Sequence, residues 1–152
     1  MADHPALTTP VQSVPALSIP DLQALLQSEL IAAWVRDLAL QVISLDANEI
    51  TLLMPITPHC VHGGGVVCGQ SLMAAADTAM VLAISAQLGA FRPMSTVQLQ
   101  TSFLRPVPGT DAQARIVARV LRRGKSLVFG EIEIADSARR LCAHSTTTYA
   151  LL

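Results

Sequence analysis

The stretch Ser71-Leu-Met-Ala-Ala-Ala-Asp77-Thr-Ala-Met-Val-Leu-Ala-Ile-Ser-Ala-Gln-Leu88 carries a single charge, at Asp77. It reads as a helix that is apolar nearly all round, and such a helix belongs in a core. Gly89 suits its C-terminal cap. A carboxylate on such a helix is costly unless it is paired or used. Immediately upstream runs His62-Gly-Gly-Gly-Val-Val-Cys-Gly69. This glycine-rich turn can offer backbone N–H groups to a ligand at the helix N-terminus.

Working outward, Ser18-Ile-Pro-Asp21 looks like a helix start, and Leu22, Leu25, Leu26, Leu30 and Ala33 keep helical spacing to about Trp34. Leu38, Leu40 and Val42 alternate as a strand, Asp46-Ala-Asn48 turns the chain, and Glu49 to Pro55 returns as its hairpin partner. Past the long helix every segment reads as strand: Ser95 to Arg105, Gln113 to Leu121, Leu127 to Ile134 and Leu141 to Tyr149. On the first of these, Val97, Leu99, Thr101 and Phe103 share one face by alternation. Short turns make the strands antiparallel. An antiparallel sheet wrapped round one long buried helix is the α+β hot-dog arrangement.

Residues 18–152 then form one domain. Pro5, Pro10, Pro15 and Pro20 recur every five residues, so residues 1–17 read as a flexible proline-rich arm. Of the 152 residues, 51% are hydrophobic and only 14% charged, which leaves little charge to cover a monomer and points to an oligomer. A net charge of −1 and 3% aromatics give no footprint for nucleic acid. The central Asp77 and the alanine richness argue against a membrane span. Three cysteines and no secretory signal read as reduced and cytoplasmic.

Ala76-Asp77-Thr78-Ala79 and Phe103-Leu104-Arg105-Pro106, joined to the glycine-rich turn, resemble signatures of the PaaI-like acyl-CoA thioesterases over residues 35–150. Nine residues separate the family's helix-start His-Gly-Gly from its acid. Counting back nine from Asp77 reaches Cys68-Gly69-Gln70, whereas His62 lies fifteen back. The nine-residue register needs no insertion in the helix. It replaces the usual histidine by Cys68 and puts His62 where many members carry a supporting Asn or Gln.

The resemblance implies thioester hydrolysis at a site shared between subunits of a homodimer or homotetramer. The helix geometry requires the same sharing. Gly69 and Asp77 are eight residues apart, about 12 Å along the axis, too far for one thioester carbon to touch both. In this reading the Gly69 N–H polarises the carbonyl at the positive end of the helix. Asp77 of the other chain attacks directly or takes a proton from water. Ser95 or Thr96 orients that water, and His62 hydrogen-bonds the carboxylate or the substrate. Arg122, Arg123, Gly124 and Lys125 form a basic turn suited to the phosphates of coenzyme A, which enters as part of the substrate, with no separate cofactor.

Each residue has a plainer reading. Asp77 as a structural acid would bond nearby hydroxyls such as Thr78, the glycines would only shape a loop, and the basic turn would be merely solvated. His59, Cys60, His62 and Cys68 are zinc-ligand types, but adjacent His59 and Cys60 fit one tetrahedron poorly, so no metal is expected. Cys68 as a nucleophile lacks a base close in sequence. The expected function is therefore an acyl-CoA thioesterase; the small Ala-rich helix faces leave room for aromatic or medium-chain acyl groups, and the sequence does not fix which. The alternative is a non-catalytic hot-dog protein that binds acyl-CoA as a sensor or scaffold.

Overall fold

A computed structural model describes residues 16–152. The chain runs α1 (Ile19–Gln27), α2 (Ala33–Arg36), β1 (Gln41–Leu45), β2 (Glu49–Pro55), a 3-10 turn (Pro58–Cys60), α3 (Gly69–Leu88), β3 (Met94–Phe103), β4 (Gln113–Arg123), β5 (Leu127–Ala135) and β6 (Leu141–Leu151). The six strands form one antiparallel sheet in the order β1-β2-β4-β5-β6-β3. The expected hot-dog arrangement is present: α3 lies against β2, β3, β4 and β5, and the sheet supplies the other half of its core.

Strand alternation builds that core. Ile50, Leu52 and Met54 of β2, Ile116 and Ala118 of β4, and Ile132 and Ile134 of β5 are fully buried at every second position. Against them lie Ala75, Ala76, Ala79, Met80, Leu82 and Ile84 of α3. Alanines let the helix approach the sheet closely, and Gly130 on β5 extends this. A Cβ at Gly130 would collide with the Met80 side chain and stand 2.9 Å from the Arg119 carbonyl oxygen. Gly130→Ala is therefore expected to destabilise the fold by ~1–3 kcal/mol, the usual range for overpacking. Urea unfolding of the variant beside wild type checks this, and an unchanged midpoint would show that the helix has slack to move.

The sequence-based boundaries differ most at the first helix. It stops at Gln27 rather than near Trp34, because the Ser28 hydroxyl and N–H both turn back to the Leu25 carbonyl, at 2.8 and 3.1 Å. Arg36, on the short α2, then donates to the carbonyls of Ser28 and Ile31 and holds the break closed. Ala39 takes a positive φ of 52°, so the strand expected from Leu38 starts only at Gln41. Gln23 joins α1 to that strand: its amide donates to the Leu40 carbonyl and accepts from the Val42 N–H. Residues 1–15 of the expected arm lie outside the described residues. Ala16 N–H donates to the Ala86 carbonyl of α3 at 3.0 Å.

One face assignment is also corrected. Val97 does not share a face with Leu99, Thr101 and Phe103, because β3 carries a bulge between Thr96 and Gln98. Val97 is the extra residue and is 61% exposed. The bulge keeps Thr96 directly opposite Tyr149 of β6, with both side chains on the α3 side of the sheet.

Candidate active site

The Asp77 carboxylate sits where α3 passes β3 and β6. Thr96 Oγ1 donates to Asp77 Oδ1 at 3.1 Å and lies 3.4 Å from Oδ2. Tyr149, 1% exposed, donates its hydroxyl to Asp77 Oδ1 and lies 3.0 Å from the Asp77 carbonyl oxygen. Burial and then the neighbouring Asp77 charge push the Tyr149 phenol well above its ordinary range, so it stays protonated as a donor. Asp77 itself is half-buried.

Thr78 does not serve as the partner of Asp77; its hydroxyl turns back to the Ala74 carbonyl at 2.8 Å. Of the two β3 hydroxyls considered, Thr96 meets Asp77, while Ser95 is exposed and points by alternation to the opposite face. Tyr149 escaped the sequence reading. It is the chain's one tyrosine, and a buried phenol needs a polar partner. The lone acid on the facing helix was the available signal.

Gly69 is the first residue of α3, with Cys68 as N-cap in an extended conformation (φ −69°, ψ 143°). A first-turn N–H has no acceptor within its helix. The Phe103 ring covers Gly69: a Cβ there would stand 3.0 Å from Phe103 Cζ. A groove of about 410 Å³ opens beside Gly69, walled by Val67, Leu72, Phe103, Leu104 and Pro106, with Arg105 as its charged residue. A second groove, about 590 Å³, opens against Gln70 and Ser71 and is walled by Trp34, Leu38 and Pro55, with Asp37 and His59. Volumes of this size suit small-molecule substituents.

His62 is exposed in the loop before α3, and its Nδ1 accepts from the Gly64 N–H at 2.9 Å. Among the described residues no hydrogen bond joins it to Asp77 within the subunit. The zinc-type residues are not gathered either. The Cys60 thiol donates to the Thr57 carbonyl and Cys68 Sγ pairs with Ser71 Oγ at 3.0 Å. Among the described residues no three His, Cys, Asp or Glu side chains are placed to hold a metal.

The basic turn lies at the far end of α3. Arg123 Nη1 donates to the Gln87 carbonyl at 3.1 Å, which favours the negative end of the helix. Arg122 and Lys125 are exposed. The helix end at Leu88 is eleven residues beyond Asp77, about 16 Å along the axis.

Comparison with known proteins agrees with this fold. The model of the thioesterase superfamily matches residues 62–143, from the glycine-rich turn to β6. The conserved protein PA5202 of Pseudomonas aeruginosa is 30% identical, with a TM-score of 0.73 over 80% of this chain and 95% of that one. The thioesterase HI1161 of Haemophilus influenzae shares the fold at a TM-score of 0.79, covering 90% of this chain and 91% of its own at 21% identity. The E. coli PaaI protein from the phenylacetic acid degradation operon shares it at 0.73, covering 89% and 96% at 22% identity.

Proposed function

The chain belongs to the thioesterase superfamily, and on that premise we propose that it hydrolyses an acyl-CoA to the free acid and coenzyme A. The observation that carries this is the Asp77 carboxylate. It is the one charge on an apolar core helix, it is held at Oδ1 by two hydroxyl donors, and its Oδ2 has only the longer 3.4 Å approach of Thr96. Hydrolysis adds water across the C–S bond: the acyl carbon gains the hydroxyl and the sulfur leaves with the proton. Asp77 supplies the carboxylate, as base to the water or as nucleophile on the carbon. The Gly69 N–H supplies the donor for the oxygen that gains charge.

These two parts must come from different chains, and β3 supports a way to join them. It is an edge strand of ten residues, with Val97 and Phe103 more than half exposed. Such an edge invites pairing with another strand. Thr96, which meets Asp77, and Phe103, which covers Gly69, stand near its opposite ends. In our reading, antiparallel pairing of β3 about a two-fold axis, with Thr96 facing the partner's Phe103, brings Asp77 to the partner's Gly69. The assembly is then a homodimer, or a homotetramer of two such pairs. The coenzyme A arm runs along the helix toward Arg122, Arg123 and Lys125, and the apolar groove under Trp34 suits an aromatic or medium-chain acyl group.

The test is thiol release over a panel of acyl-CoAs, beside binding of the same panel by calorimetry. Turnover supports the enzyme; tight binding with no thiol release from any member identifies a non-catalytic acyl-CoA binder. The basic turn has its own test. Changing Arg122, Arg123 and Lys125 together to Ala should raise KM for acyl-CoA while leaving a short pantetheine thioester unaffected, since the charge-assisted contacts lie away from the reacting carbon. Equal losses on both substrates, with a lowered Tm, would assign the cluster to capping α3 through Arg123.

A further inference from the structure

We propose that Tyr149 is a positioning residue that holds Asp77 by one carboxylate oxygen and so determines which oxygen reacts; this rests on the hydrolase reading above. Tyr149 and Thr96 are opposite each other on β6 and β3, and both reach across to α3. Their two hydroxyls converge on the same atom, Asp77 Oδ1. Oδ2 has only the long 3.4 Å approach of Thr96 and is left for water or substrate.

The phenol is suited to this work. It is rigid and 1% exposed, so water does not compete for its proton. It also lies 3.0 Å from the Asp77 backbone carbonyl, and so it references the side chain to the helix that carries it. With one proton and two acceptors on the same residue, the hydroxyl limits the rotation of the Asp77 side chain. Burial, and then the neighbouring carboxylate, raise the phenol, so it keeps its proton to donate. Thr96 approaches only the Asp77 carboxylate, whereas Tyr149 also lies against the Asp77 backbone carbonyl.

Tyr149→Phe keeps the ring in the core and removes only the hydroxyl. It should lower kcat about 10- to 100-fold, the range of one charge-assisted hydrogen bond, with KM within about twofold of wild type. Thr147→Val is the matched control. Thr147 is two residues away on β6, is 3% exposed, and donates to the Gln98 carbonyl of β3 at 2.8 Å without touching Asp77. It should lose Tm like Tyr149→Phe and keep kcat. A Tyr149→Phe enzyme with more than half of wild-type kcat overturns the positioning role, and so does an equal loss of kcat in both variants. A wild-type chain that releases no thiol removes the hydrolase reading and this role together, which separates the two failures.

Discussion

Asp77→Asn is expected to abolish turnover while leaving the fold and acyl-CoA binding in place. Asn has the shape of Asp, and its amide oxygen can still accept from Tyr149 and Thr96, the two donors that meet Oδ1. What is lost is the charge and the lone pairs at the Oδ2 position. Loss of a general base typically costs ~10²–10⁴-fold in rate, and loss of a nucleophile can cost more. A purely structural acid behaves differently, since neutralising a half-buried charge on an apolar helix is neutral or stabilising with activity kept. The measurement is kcat on the best acyl-CoA of the panel, beside Tm for both proteins. More than about a tenth of wild-type kcat in the variant, a smaller loss than acid–base catalysis gives, would show that Asp77 is not the reacting group.

Asp77 was legible because a charge is conspicuous in an apolar helix; its supports were less so. The core helix and five of the six strands follow from hydrophobic period, with boundaries moved by at most two residues, and the short turns make the strands antiparallel. The first helix and β1 depart from expectation because side-chain contacts with the backbone close the helix at Gln27, and the positive φ of Ala39 delays the strand. Ser28 turns back on Leu25, and Arg36 reaches Ser28 and Ile31. Periodicity carries no trace of either. The bulge at Val97 is similar: alternation put Val97 with the core face, and the pairing of Thr96 with Tyr149 forces it out. Tyr149 was missed because its role exists only once β6 is laid beside β3 under α3. A search for the partner of the buried acid among buried hydroxyls, rather than among its sequence neighbours, would have found it.

Gly69→Pro is expected to lower kcat by ~10²–10³-fold, the usual cost of one oxyanion donor, with the helix intact. Gly69 is the first residue of α3, a position where proline is favoured because its missing N–H has no intrahelical acceptor. Cys68 before it already has the extended backbone that a following proline requires, at φ −69° and ψ 143°. The substitution therefore removes the N–H from a backbone that already suits proline, and puts the ring Cδ in place of the amide hydrogen. A Cβ at this position would stand 3.0 Å from Phe103 Cζ. That atom is the far end of the Phe103 side chain. Gly69→Ala adds the same Cβ and keeps the N–H, so it isolates the contact of that Cβ with Phe103. Low kcat in the proline variant with most activity kept in the alanine variant assigns the N–H to catalysis. Equal losses in both would trace the effect to Phe103, and a proline variant within about tenfold of wild type, less than the loss of such a donor costs, would mean that some other group polarises the thioester.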